Sequence, residues 1–232
     1  MAKGFFITGT DTGVGKTYVA SQLIKAYRKQ GVRVSGFKPV ASGGVWLNDQ
    51  LVNEDALSMM REASVSMSYT DVNPYCFEPA IAPHLAAEQA RVDINFEKIQ
   101  SHYRKHVSEV DIVIVEGAGG WKVPLNEELS FDEIPLVLEV PVILVVGLKL
   151  GCINHALLTE EAILNSGCRL VGWIGNSISA DFEVQNDNSL TLSKRMKSPC
   201  IGFFEHAFNK VKKNGVGQIN IASTLDYLTN FR

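Results

Sequence analysis

The stretch Phe5-Phe6-Ile7-Thr8-Gly9-Thr10-Asp11-Thr12-Gly13-Val14-Gly15-Lys16-Thr17 leaves few folds open to this chain. An apolar run passes into a glycine-bearing loop and then into an amphipathic segment, which spells strand, tight loop and helix. In that order the loop turns successive backbone N–H groups toward one point, and the helix start adds its partial positive charge. Phosphate suits such a cradle: Lys16 reaches the β- and γ-phosphates of a nucleotide, and the Thr17 hydroxyl ligates Mg2+. The loop departs from G-x-x-x-x-G-K-[ST] at one point, because the pattern places its first glycine at Thr10 and the chain has it at Gly9. A bare strand-to-helix turn is the alternative reading.

The rest of the chain repeats this alternation. Apolar, β-branched runs predict strands over Lys3 to Thr8, Arg33 to Lys38, Ile112 to Glu116, Val142 to Val146, Leu170 to Asn176 and Cys200 to Phe204. Helical periodicity predicts helices over Lys16 to Gln30, Asp49 to Ala63, Pro83 to Ala90, Phe96 to Val107, Asn154 to Ser166, Ser189 to Lys197 and Ile221 to Leu228. The fold class is therefore α/β, a mostly parallel β-sheet covered by helices on both faces. With 232 residues and no repeat or linker-like stretch, a single domain over residues 1–232 is expected. Ligands of parallel sheets sit outside the carboxyl ends of the strands. The polar and glycine-rich segments Gly9 to Thr17, Pro39 to Gly44, Glu116 to Gly120, Gly147 to Asn154 and Asn176 onward should then share one rim.

Composition narrows the class of function. A formal net charge of −3 supplies no global field for nucleic acid or anionic lipid, so neither is expected as a partner. The apolar run at the N-terminus is too short for a signal peptide, and none elsewhere reaches membrane-spanning length. Cys76, Cys152, Cys168 and Cys200 are dispersed without a C-x-x-C pair, so they read as core or near-core residues in a reducing cytoplasm. The five histidines, His84 and His155 among them, lack metal-ligand spacing and read as structural or solvated.

Asp111-Ile112-Val113-Ile114-Val115-Glu116 is an apolar strand ending in a carboxylate, as a strand that organises a metal does. Buried strands also end in an acid by chance, but Gly117-Ala118-Gly119-Gly120 follows at once, and glycines let a backbone approach phosphate or substrate closely. Other residues are less legible. Lys38 at a strand end reads first as a solvated lysine. Asp55 reads as a helix-start acid complementing the dipole. Ser42 lies in a loop without a nucleophile's partner.

Taken together, four blocks resemble the dethiobiotin synthetase family: Thr8 to Thr17, Gly36 to Gly43, Val115 to Trp121, and Pro141 to Gly147 continuing to Leu150 to Ala156. The resemblance implies a P-loop NTPase-like fold and a cyclo-ligase that joins 7,8-diaminononanoate and CO2 at the expense of Mg·ATP. It implies Lys16, Lys38 and Thr12 as catalytic residues, and Thr17, Asp55 and Glu116 as metal ligands. Nucleotide would be held by Gly13, Val14, Gly15, Lys16, Thr17, Tyr18, Asp55, Glu116, Gly117, Ala118, Gly119 and Asn176. Substrate would meet Ser42 and, across a homodimer interface, the helix start at Gly151, Cys152, Ile153 and Asn154, whose exposed N–H groups suit its carboxylate.

Two family features are missing. The turn after the last strand, Gly202 to Ala207, has no proline, and no aromatic residue stands at Asp187 to Ser189. A partitioning or positioning ATPase is the competing class. Those proteins carry an extra loop lysine where this chain has Asp11, and often a basic or amphipathic tail, which Ile221 to Arg232 does not resemble. An amidoligase would need an ammonia source, and no glutaminase segment is evident.

Overall fold

The computed structural model describes residues 3–178, 185–205 and 221–231. Strand β1 (Lys3–Gly9) leads through the glycine loop into helix α1 (Lys16–Lys29) and then into β2 (Val34–Phe37). Three short strands follow, β3 (Val40–Ser42), β4 (Val45–Leu47) and β5 (Gln50–Val52), and after them α2 (Glu54–Glu62) and α3 (Tyr69–Val72). Next come β6 (Tyr75–Phe77), α4 (Pro83–Ala90), α5 (Phe96–Glu109), β7 (Ile112–Glu116), α6 (Ile134–Val137) and β8 (Val142–Gly147). The remainder is α7 (Cys152–Asn165), β9 (Leu170–Asn176), α8 (Gln185–Arg195), β10 (Cys200–Phe204) and α9 (Ile221–Asn230).

The central sheet has six strands in the order β10-β9-β8-β1-β7-β2, every pair parallel. After β1 the chain goes to β2 at one edge, returns to β7 between β2 and β1, then crosses to β8 on the other side of β1. The crevice where that direction reverses is where such sheets bind ligands, and the phosphate loop opens there.

Side chains of β1 alternate between two cores. Phe6 joins Val113, Val115, Leu144 and Val146 beneath residues of α4, α5 and α7, whereas Phe5 and Ile7 join Ile114, Ile143 and Val145 beneath α1, α2 and α9. Both faces of the sheet are thus covered, which is why its strands read as continuous apolar runs. Each fully buried Leu, Ile or Phe in these layers stabilises the fold by about 1.5–3 kcal/mol. The cysteines are free and buried or half-buried, in keeping with their reading as packing residues.

Several expected boundaries are corrected. The helix expected from Asp49 starts only at Glu54. Asn48 and Asp49 take left-handed φ values of 48° and 60° and turn β4 back on β5, while the Asn53 side chain accepts the N–H groups of Asp55 and Ala56 and caps α2. Lys38 falls outside its strand, because its N–H bonds to the Val72 carbonyl at 2.8 Å instead of to a sheet neighbour. Helix α7 begins two residues earlier than expected and α8 four residues earlier. Small elements such as α3, capped by Ser68, and the parallel β3–β6 pair were not anticipated. Among the described residues, no helix is long and apolar enough to cross a membrane.

Candidate active site

The loops that leave β1, β2, β7, β8 and β9 emerge at one end of the sheet, as five parallel strands require. Those that follow β1, β2 and β7 bound a cleft of about 730 Å3 lined by Thr12, Gly13, Gly15, Lys16, Thr17, Lys38, Ser42, Asp55, Glu116 and the Ala118–Gly120 turn. A second hollow, of about 570 Å3, opens at the opposite rim around Gly4, Tyr103 and Val140, remote from these loops.

The phosphate loop is seated by apolar contact. Val14 is fully buried, and its side chain occupies the space that side chains at Gly9 and Gly147 would need. That seat accounts for a glycine at position 9 in place of position 10. Gly15 takes φ 87° and gives α1 no side-chain cap, so the N–H groups of the first turn lack protein acceptors from a cap. They face the cleft as an anion site.

Four polar side chains meet beside this loop. Glu116 ends β7 wholly buried, and its Oε1 accepts the Thr17 hydroxyl at 2.8 Å and the Lys38 ammonium at 2.8 Å. Lys38 also donates to Asp55 Oδ2 at 3.0 Å and to the Gly117 carbonyl at 3.1 Å. Lys38 is therefore not the solvated lysine that its position in the sequence suggested. Its backbone is fixed by Asn73, whose amide donates to the Lys38 carbonyl at 2.7 Å. Burial opposes the Lys38 charge, but Glu116 and Asp55 outweigh it and raise the ammonium's pKa. Burial likewise works against the Asp55 carboxylate, which Lys38 nonetheless holds below the usual carboxylate range.

Lys16 is in a different state. Its Nζ donates to the Asp11 carbonyl at 2.8 Å and to the Gly119 carbonyl. Among the described residues no carboxylate is bonded to it, and burial, helped by the nearby Lys38 charge, lowers its pKa to about 8. The Gly117–Gly119 turn thus meets the two lysines with its carbonyls.

A cation fits this arrangement. Glu116 Oε2 is buried and has no hydrogen-bond partner among the described residues, while the Thr17 hydroxyl and Asp55 stand close to the same carboxylate. Two carboxylates and a hydroxyl are hard oxygen donors of the kind Mg2+ takes when phosphates and water complete its shell. Consistent with that sparse set, no cluster of three or more His, Cys, Asp or Glu side chains suited to a metal occurs among the described residues.

Other candidates lie outside this cleft's lining. The Asn176 amide donates to the Val14 carbonyl at 2.9 Å, beneath the phosphate loop. Tyr18, half exposed, sits edge-on to Phe204 with ring centroids 5.5 Å apart. Gly151 and Asn154 are exposed at the start of α7, Ile153 is half-buried, and Cys152 is buried. The turn from Gly202 to Ala207 lies partly outside the described residues. Sequence reasoning missed Asn53, which caps α2 beneath Asp55 and donates to the Ser42 carbonyl at 3.2 Å, and the Ala80–Pro83 wall of the cleft. The Asn53-Glu54-Asp55 order was a legible capping signal. Nothing in the sequence pointed to the Ala80–Pro83 wall.

Strand, glycine loop, Lys16-Thr17 and the acid at the end of β7 define a P-loop nucleotide-binding protein. Solved structures agree on that fold. The MinD cell division protein of Aquifex aeolicus aligns with a TM-score of 0.59 at 16% identity, covering 100% of this chain and 98% of that one. A ParA family ATPase of Chlorobium tepidum aligns with a TM-score of 0.57 at 12% identity, covering 100% of both chains. At such identities the likeness is one of fold alone. A family model described as an AAA domain matches residues 3–208. The ATP-dependent dethiobiotin synthetase BioD of Cellvibrio japonicus is 46% identical over 200 residues, 86% of this chain and 88% of that protein. The enzyme of the same name from Pseudomonas paraeruginosa is 45% identical over 199 residues, 85% of this chain and 87% of that protein. The chain belongs to the ATP-dependent dethiobiotin synthetase family.

Proposed function

We propose that this cleft closes a cyclic urea on 7,8-diaminononanoate, using CO2 and Mg·ATP. The observation that carries the reading is two buried lysines beside the phosphate loop, Lys38 paired with Glu116 and Asp55 and Lys16 held only by backbone carbonyls.

An aliphatic amine with a pKa near 10.4 is neutral in only about one molecule in a thousand near pH 7.4, and only the neutral amine attacks CO2. The cations of the cleft disfavour another cation and so favour the neutral amine. The carbamate that forms, with loss of a proton, is an anion that Lys38 can hold against the γ-phosphate. Attack of its oxygen on phosphorus expels ADP and leaves a carbamic-phosphoric anhydride. The second amine then attacks the carbonyl carbon, phosphate leaves, and the ring is closed. Bound Mg2+, held by Thr17, Asp55 and Glu116, would supply charge neutralisation between the phosphates. The protein's own share is positioning and fixed charge. Thr12 and the Gly117–Gly119 turn line the reacting end, with Gly13, Val14, Gly15 and Ala118 along the phosphates and Tyr18 and Asn176 toward the base.

Ser42 lines this cleft, and its Oγ, buried and without a partner among the described residues, is suited to the diamine. Ser42→Ala should raise KM for the diamine by roughly 2- to 12-fold, the scale of one hydrogen bond, with KM for ATP unchanged. A parallel rise in both constants would remove Ser42 from the substrate side.

Lys16 gives a pH test. In the free protein its pKa is about 8, and an adjacent polyphosphate must raise it. Binding of a nonhydrolysable ATP analogue at pH 8 should take up about half a proton, and affinity should fall as pH rises above that value. Calorimetry in buffers of different ionisation enthalpy measures the uptake. Proton release, or none exchanged, would detach Lys16 from the phosphates.

We further propose a homodimer in which Gly151, Cys152, Ile153 and Asn154 of one subunit take the substrate carboxylate of the other. The apolar side chains Leu150 and Leu158, 90% and 58% exposed on and beside α7, support it. The reaction itself is tested by ADP release with diaminononanoate and bicarbonate added singly and together. Release should require both; strong hydrolysis without the diamine, stimulated by DNA or lipid, would favour a nucleotide switch.

A further inference from the structure

Asp11, the residue that stands where partitioning ATPases carry their extra lysine, is held at three points. Its Oδ1 accepts the Thr12 N–H at 2.7 Å, its Oδ2 accepts Lys149 Nζ at 2.9 Å, and its carbonyl accepts Lys16 Nζ at 2.8 Å. Lys149 is likewise engaged at both ends. Its carbonyl accepts the Cys152 N–H at 3.0 Å and shapes the turn from which α7 starts, while its side chain reaches back to the phosphate loop. By helix geometry the N–H groups of Ile153 and Asn154 have no intrahelical acceptor. Under this bridge the two segments are already in register, with Val14 packed on Gly147 and the Thr10 N–H bonded to the Val145 carbonyl at 3.1 Å.

We propose that Lys149 is a positioning residue that couples the phosphate loop to the start of α7, so that a bound nucleotide tightens the seat for the substrate carboxylate. The inference rests on the reading of that helix start as the carboxylate seat. The difference between the free and liganded states lies at Lys16. A nucleotide draws its ammonium toward phosphate and off the Asp11 carbonyl, which leaves Lys149 and the Thr12 N–H to hold Asp11. Shifts of the loop then pass through Lys149 to the turn that sets the α7 N–H groups. Such coupling is reciprocal: the diamine should tighten nucleotide binding by the same factor. The pair is part-exposed, with side chains 38% and 46% accessible, so it contributes little to stability. Its loss should therefore appear in the coupling and leave the melting temperature in place.

The test is calorimetric titration of the intact protein with 7,8-diaminononanoate, with and without a nonhydrolysable Mg·ATP analogue. In the unsubstituted protein the analogue should tighten diamine binding about three- to fivefold, the scale on which an exposed ion pair contributes. Lys149→Met should bind each ligand alone with little change yet lose the enhancement, and Lys149→Arg should restore most of it. Equal enhancement in the unsubstituted protein and in Lys149→Met, or none in either, overturns the proposal. A diamine without the carboxylate separates the two claims. If it binds as tightly as the acid, the carboxylate reading of α7 fails; weaker binding with undiminished coupling in Lys149→Met overturns the Lys149 role alone.

Discussion

Replacement of Lys38 by Met should lower turnover by on the order of 10^2- to 10^3-fold at saturating ATP and diamine, the effect of losing one preorganised charge at a developing anion. The same change should also cost stability. Lys38 lies between Glu116 and Asp55, at 2.8 and 3.0 Å, and Glu116 is completely buried. Removing the cation leaves a buried carboxylate without its counter-charge, which costs about 3–5 kcal/mol in such pairs. The loss should be visible as a lowered melting temperature in the free protein. Mg·ATP brings a new cation to the same carboxylates, so it should recover more stability in the variant than in the unsubstituted protein. Steady-state kinetics and thermal melts with and without Mg·ATP measure both effects. A variant that keeps more than about a tenth of normal turnover would mean that Lys38 is a structural lysine only.

The second large effect is expected at Glu116. A glutamine there keeps an oxygen that can accept from Thr17 and Lys38, and Lys38 retains Asp55, so the fold should suffer less than in the Lys38 variant. What is lost is the negative charge behind Oε2, the buried atom left without a partner. The Mg2+ concentration needed for half-maximal activity should rise by about tenfold or more, as it does when a group that organises a bound metal is replaced. An unchanged Mg2+ dependence would remove Glu116 from the metal and leave the unpartnered oxygen without a role.

The parallel sheet was legible because its strands are buried on both faces and so read as unbroken apolar runs; β1, β7 and β8 fall within a residue of expectation at each end. The hairpin β4–β5 was not legible. Val45, Trp46 and Leu47 are all exposed, so no core pattern marks them, and the turn depends on left-handed Asn48 and Asp49. In the site, the contrast runs between local and long-range signals. The phosphate loop is one contiguous segment, and its chemistry could be read from Gly9 to Thr17. Lys38, Asp55 and Glu116 are 17 and 78 residues apart along the chain from Lys38, and only the sheet order, with β7 between β1 and β2, brings them together. No local pattern encodes that meeting, so the sequence alone left Lys38 a solvated lysine and Asp55 a helix-start acid until the resemblance of the flanking blocks singled them out. The Asp11–Lys149 pair, 138 residues apart, is hidden for the same reason.

The central claim is that two lysines and one buried carboxylate converge on the terminal phosphate of ATP. A crystal structure with Mg2+ and a nonhydrolysable ATP analogue tests it most directly. It should show the terminal phosphate within hydrogen-bonding reach of both Lys16 Nζ and Lys38 Nζ, and the metal beside Glu116 Oε2. A terminal phosphate bound away from both ammonium groups, with Glu116 Oε2 still unpartnered, would contradict the account.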